Sequence, residues 1–313
     1  MSISSLPSVL LTDPAAGKLQ SLLQDRLPRL TVRTLRADQR LKSDCEVWLG
    51  APDSIIPLLK SGLTPRWIQL TWAGVTPMLA QDVPKGYLLT RATNVFGPAM
   101  LEYVLHFMLA KAWQHANYEY AQSRFSWHPS SVGLLNGKTV LIVGLGAIGS
   151  HIATGLTSLG MKVKGIRRSS SADSSCDELG GFDKLLSFAS QSDYVVNVLP
   201  DTPATRDIFD KHFFSALPSH AFFINIGRGS AVVDHDLIDA LESDRLAGAA
   251  LDVFRKEPLP QSHQFWVTKN LWLTPHIAGP TDEGAMIDLF LQNLRKYQQG
   301  QRLLGLVDSS LGY

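Results

Sequence analysis

The feature that most constrains this chain is a glycine triplet set between two kinds of periodicity. Gly144, Gly146 and Gly149 stand at a G-x-G-x-x-G spacing, after the apolar run Thr139–Val143 and before the helical pattern Ile148–Leu159. A continuous apolar run of that length suits a strand covered on both faces, as in a parallel sheet. A strand that turns sharply into a helix needs a residue free to take positive φ, and Gly144 supplies it. Gly146 lets backbone approach a ligand closely, and Gly149 lets the helix lie against the strand. With Ala147 and Ile148 the glycines open a helix whose first N–H groups lack partners in the helix itself, a natural place for a diphosphate. The triplet in this setting predicts dinucleotide binding.

The same grammar runs along the whole chain. Ser8–Thr12, Glu46–Leu49, Trp67–Leu70 and Tyr87–Leu89 read as strands, with a helical pattern over Ala16–Leu30. Further on, strands are predicted at Lys162–Ile166, Tyr194–Val198, Ala221–Asn225, Gly248–Asp252 and Leu271–Leu273. Helices fit at Phe182–Ala189 and His235–Ser243, with Asp234 placed to cap the latter. This alternation predicts an α/β protein with two doubly wound parallel-sheet domains. Two long helical patterns, Pro98–Ala121 and Met286–Tyr297, read as crossings between them. They place a Rossmann cofactor domain at 96–288, inserted in a flavodoxin-like substrate domain made of 1–95 plus 289–313.

Composition narrows the function. The 29 basic and 28 acidic side chains leave a net charge of +1, which offers no general attraction to nucleic acid or an anionic membrane. No apolar run approaches the ~20 residues needed to cross a bilayer. Met1 to Asp13 lacks a basic n-region and a long apolar stretch. The two cysteines, Cys45 and Cys176, stand in no metal-ligand or redox spacing. The expectation is a cytoplasmic protein with no metal site, no nucleic-acid partner and no membrane partner.

The strand after the glycine helix ends at Ile166, where a site specific for NAD usually carries an acid for the ribose hydroxyls. Here the residues are Arg167, Arg168 and Ser169. Guanidiniums and a hydroxyl suit a 2′-phosphate, which a carboxylate would repel. NADP(H) is therefore the preferred cofactor, with NAD(H) possible if the loop is only a solvated basic turn.

Three later strands end in polar residues, and in a doubly wound sheet such ends converge on the ligand. Arg228 stands between two glycines, Asp252 and Glu257 follow the next strand, and His276 follows Pro275. Reducing a 2-keto acid requires a group to hold the carboxylate, a group to polarise the ketone and a proton donor. Arg228 has a planar fork for the first two tasks. His276 gives or takes a proton near neutrality. Glu257, if adjacent, would favour the imidazolium. Asp252 is placed to accept from a nicotinamide amide.

These segments, in this order and spacing, resemble the D-isomer-specific 2-hydroxyacid dehydrogenase family over nearly the whole chain. The resemblance assigns the family's catalytic trio to Arg228, Glu257 and His276, and its nicotinamide-binding acid to Asp252. Its substrate-binding loop falls on Ala73, Gly74 and Val75, with Thr76 in place of the usual acid. Arg168-Ser169, the total length and the Val307-Asp308…Gly312-Tyr313 ending are similar to the glyoxylate/hydroxypyruvate reductase A branch. That likeness puts Trp48 on the wall of the substrate pocket, and Trp72 beside the binding loop could limit it to short acids. It implies NADPH-dependent reduction of a small 2-keto acid such as glyoxylate or hydroxypyruvate. It also implies a homodimer formed through the long helix from Pro98. The alternatives on this fold are a nucleotide-sensing regulatory protein of the co-repressor kind and an NAD-dependent phosphoglycerate dehydrogenase-like enzyme.

Overall fold

The structure is a computed structural model and describes residues 6–34, 45–168 and 174–309. The chain forms two compact units, Met1–Phe96 with Thr281–Tyr313, and Gly97–Pro280.

The first unit opens with β1 (Val9–Thr12), α1 (Ala16–Arg26), β2 (Val32–Thr34), β3 (Val47–Gly50), α2 (Pro52–Lys60), β4 (Trp67–Leu70), α3 (Thr76–Leu79) and β5 (Leu88–Thr90). The strands pair in parallel in the order β2-β1-β3-β4-β5, the flavodoxin-like arrangement. β1, β3 and β4 are buried along their full length, which is why they read as unbroken apolar runs. A Cβ on Gly50 would fall 1.9 Å from the carbonyl oxygen of Thr12, so the ends of β3 and β1 meet where only glycine fits. The sequence pattern misses β2, three residues at the sheet edge, and α2, which carries Pro57 in its interior.

The second unit begins with α4 (Gly97–Ala112) and α5 (His115–Ser123), expected as one helix. They separate at Gln114, whose φ is +51°, while the carbonyl of Ala112 accepts from Gly133 N at 2.7 Å. That bond takes a carbonyl the helix would have needed to continue. Then come β6 (Thr139–Val143), α6 (Ala147–Ser158), β7 (Lys162–Ile166), β8 (Glu178–Gly180), α7 (Leu185–Ala189), β9 (Tyr194–Asn197), α8 (Lys211–Ala216), β10 (Phe222–Asn225), α9 (Asp234–Glu242), β11 (Gly248–Leu251) and β12 (Leu271–Leu273). All pairings are parallel, in the order β12-β11-β10-β9-β6-β7-β8. Counted from β6 this is the Rossmann order with one strand added beyond it.

One face of this sheet carries Phe209, Phe213, Phe214 and Phe223, all buried, with Phe223 5.0 Å from Phe209 and 5.6 Å from Phe214 between ring centroids. Edge-on ring pairs add about 0.5–1.5 kcal/mol each beyond area burial. They anchor α8, too short to persist alone, whose first turn is capped by Asp210 accepting from Phe213 N at 3.0 Å. Asp234 does not cap α9 as expected. It is the helix's first residue, and the cap position is Val233.

The chain returns to the first unit in α10 (Glu283–Gln298), capped by Asp282. Phe290 and Tyr297 stack on Trp67 at 5.5 and 5.3 Å, and Asn293 Nδ2 donates to Gln69 at 2.9 Å. The whole helix therefore belongs to this unit, and the boundary lies at 280/281 rather than inside the helix at 288/289. The earlier boundary lies at 96/97 instead of 95/96. Among the described residues no helix is long and apolar enough to cross a membrane.

Candidate active site

The glycine turn separates three demands. Gly144 has φ +106°, and a Cβ on it would fall 2.9 Å from the carbonyl carbon of Val198 at the end of β9. A Cβ on Gly149 would fall 2.3 Å from Gly144 O, so side chains are excluded between turn and helix. Gly146 is different. It is exposed, and a Cβ there would meet nothing within 4 Å. That open space lies at the start of α6, where Gly146 provides no side-chain cap. Exposed backbone at an uncapped helix N-terminus is what a dinucleotide diphosphate requires, and the loop fits one.

β7 ends beside this turn, with Gly144 N and Leu145 N both donating to Ile166 O, at 2.9 and 3.0 Å. Arg167 follows, its own N–H donating to Gly180 O at 3.1 Å, and then the exposed Arg168. Ser169, the third residue read as a phosphate ligand, lies outside the described residues.

His276 and Glu257, the pair expected to handle the proton, meet at the far strands. His276 Nδ1 stands 2.8 Å from Glu257 Oε2, and Glu257 Oε1 accepts from Phe254 N at 2.9 Å. An ionised carboxylate only accepts, so Nδ1 carries a proton and Nε2 is the nitrogen left for chemistry. The backbone of His276 is held at φ +56°, a region a side chain of this size seldom visits. Its N–H is shared between Asp252 O at 2.9 Å and Thr274 O at 3.0 Å. These bonds over-determine the turn, as a strained position at a site requires.

Arg228 follows β10 between Gly227 and Gly229. A Cβ on Gly227 would collide with Leu199 backbone at 2.8 Å, and one on Gly229 with Phe254 C at 2.0 Å. The arginine is largely buried and Nη1 donates to Gly227 O at 2.6 Å. Burial pulls its guanidinium below the usual arginine range, while the carboxylates of Glu257 and Asp201 oppose that. Asp201 itself is held below the usual carboxylate range, first by its bond from Arg206 at 2.9 Å.

Several residues that organise the site escape a sequence reading. Asn225 Nδ2 donates to Arg228 O at 3.1 Å, and its Oδ1 accepts from Gly227 N and from Asn197 Nδ2, at 3.1 and 2.9 Å. Both asparagines are fully buried, and only the apolar strands ending in a polar residue hint at them. Asp252, also buried, spends its carboxylate largely on the chain. Oδ1 accepts from Thr274 Oγ1 at 2.7 Å and Ile277 N at 2.8 Å, and Oδ2 from Ala278 N at 2.8 Å. A carboxylate has about four lone-pair sites, so one on Oδ2 is left. Because Thr274 donates to Asp252, its oxygen accepts from Tyr103 OH at 2.6 Å. Burial pushes that phenol far above its usual range, so it stays protonated as a donor.

Ala73, Gly74 and Val75 belong to the other unit, where they follow β4 and lead into α3. Trp72 beside them is 41% exposed. Trp48 does not wall a pocket. It is fully buried among Leu10, Ile55, Ile68 and Met78, with its indole N–H donating to Cys45 O at 3.2 Å. Its position on central strand β3 makes it a core residue.

Residues 105–278 match the family described as "D-isomer specific 2-hydroxyacid dehydrogenase, NAD binding domain". The chain is 32% identical over 299 residues to glyoxylate/hydroxypyruvate reductase A of Photorhabdus laumondii, covering 93% of this chain and 94% of that one. A family protein from Aeromonas salmonicida superposes with a TM-score of 0.89 at 33% identity, over 97% of this chain and 100% of the other. The NADPH-dependent glyoxylate/hydroxypyruvate reductase of Sinorhizobium meliloti, solved with NADP and sulfate, gives 0.85 at 28% identity, over 98% and 100%. The fold and the site thus define an NAD(P)-dependent oxidoreductase. This chain belongs to the D-isomer specific 2-hydroxyacid dehydrogenase family.

Proposed function

We propose that this enzyme reduces a small 2-keto acid, such as glyoxylate or hydroxypyruvate, to the 2-hydroxy acid with NADPH in preference to NADH. The observation that carries the reaction is the His276–Glu257 pair at 2.8 Å, in the same unit as a largely buried arginine. When bound, the reduced nicotinamide supplies a hydride. The residues of the chain do the rest. Arg228 holds the substrate carboxylate and polarises the ketone, its charge more effective for being partly desolvated. His276 gives the proton from Nε2 to the ketone oxygen, while Glu257 on Nδ1 keeps the ring oriented. The free lone pair of Asp252 Oδ2 is available to the nicotinamide carboxamide. The preference for NADPH is supported by Arg167 and Arg168, and by the NADP held in the Sinorhizobium relative.

A homodimer is part of this proposal. Phe125 and Trp127 are 99% and 98% exposed, with Trp113, Tyr120 and Leu134 also exposed nearby in sequence. Large apolar side chains left open along one stretch favour a partner of the same chain. Sedimentation at micromolar concentration should show a dimer, and a monomer there would overturn this. The substrate proposal is tested by kcat/KM for glyoxylate, hydroxypyruvate, pyruvate and phenylpyruvate with each cofactor. The two short acids with NADPH should lead, and preference for phenylpyruvate or for NADH would refute it.

A further inference from the structure

Arg255 stands two residues before Glu257. Its Nε donates to Val232 O at 2.8 Å, and its Nη2 donates to Val232 O, to Ser230 O at 3.3 Å and to the carboxylate of Asp207. Asp234 Oδ1 lies 3.4 Å from Nε, and its other oxygen lies 3.4 Å from His263 Nε2. His263 Nδ1 accepts from Phe265 N at 3.2 Å, so the ring proton is on Nε2, toward Asp234.

One guanidinium therefore joins three segments. Ser230 and Val232 belong to the turn that leaves Arg228. Asp207 belongs to the stretch before α8, which lies against that same turn through Asp207 N to Ser230 O and Phe209 N to Ala231 O, both 3.0 Å. Arg255 itself belongs to the exposed segment carrying Glu257. The arginine turn and the glutamate segment also touch directly, since a Cβ on Gly229 would fall 2.4 Å from Arg255 N. An exposed ion pair alone contributes little to stability. A fork that also binds two neutral carbonyls does something else, because it fixes distance and angle.

We propose that Arg255 is a positioning residue, setting the Arg228 turn and the Glu257 segment at the separation that keeps the Glu257 carboxylate on His276 Nδ1. This rests on the roles proposed above for Glu257 and His276. A displacement of about 1 Å at such a site costs on the order of 10²-fold in rate. Arg255→Ala should therefore lower kcat by roughly 30-fold, with NADPH affinity within about twofold of the parent. Arg255→Lys keeps the charge without the fork and should recover only a small part. Asp207→Asn tolerates the left-handed backbone at φ +57° and removes one carboxylate, so kcat should fall by about threefold with Tm unchanged.

The deciding measurement is a double-mutant cycle with Glu257→Ala. Once the carboxylate is gone, losing Arg255 should cost less than about threefold. An additive loss in Arg255→Ala/Glu257→Ala, or full kcat in Arg255→Ala, overturns the proposal while leaving the site assignment intact. Full activity in Glu257→Ala alone overturns both. If Arg255→Ala does not fold, the same cycle with Arg255→Lys decides.

Discussion

The turn at Gly144–Gly149 and the loops bearing Arg228, Glu257 and His276 sit at the carboxyl ends of one parallel sheet, and they are built by opposite means. The turn works by the absence of side chains. Two of its glycines are forced by contacts of 2.9 Å or less with backbone, and its useful donors are main-chain N–H groups. The loops work by side chains held through partners distant in sequence, as Asn225 is held by Asn197, and the turn at His276 by Asp252. A site built from backbone is written in consecutive residues, whereas a site built from side chains is assembled by the fold. The first should fail through sterics and the second through loss of chemistry.

The sharpest way to test that contrast is His276→Ala. Turnover should drop by about 10²–10⁴, the usual weight of a general acid, while NADPH still binds. Stopped-flow binding and steady-state kcat separate the two, and near-normal turnover would remove His276 from its role.

A smaller effect, on the order of 10²-fold in kcat/KM with NADPH, is expected from Arg167→Ala with Arg168→Ala. NADH kinetics should hardly change, because that cofactor lacks the 2′-phosphate. Equal losses with both cofactors would show the arginines to act on the loop and not on the phosphate.

The finest distinction lies within the turn. Gly146→Ala places a methyl in open space at φ −101°, so Tm should move by no more than a few degrees while NADPH affinity falls by about tenfold. Gly149→Ala drives the methyl against Gly144 O, and Tm should fall further than in Gly146→Ala. Thermal unfolding beside a cofactor titration checks both. If Gly146→Ala lost more stability than Gly149→Ala, the division between a ligand-facing and a packing glycine would be wrong.

Legibility in the sequence followed these lines. β6, the glycine turn and α6 were readable because each is local, a buried run followed by a turn with one permitted residue type. The polar set Arg228, Glu257 and His276 was visible as residue types at strand ends. The bonds that make it a site were not, since Tyr103 and Thr274 stand 171 positions apart and Asp252 lies 25 from the amide of Ile277. Trp48 misled, because a tryptophan on a central strand looks the same in sequence whether it faces a ligand or the core.

By itself, then, the sequence determined the α/β class, the parallel sheets, the glycine turn and the cast of polar residues, all set by short-range periodicity and steric permission. Only the tertiary structure decided that the Pro98–Ala121 pattern breaks at Gln114, that α10 belongs with the N-terminal unit, and that Asp252 serves its own loop before any ligand. Those outcomes turn on the hydrogen bond from Gly133, the stacking on Trp67 and the donors of the 274–278 turn. Such contacts join segments brought together when apolar faces are buried, and no local pattern records which segment a buried face will meet.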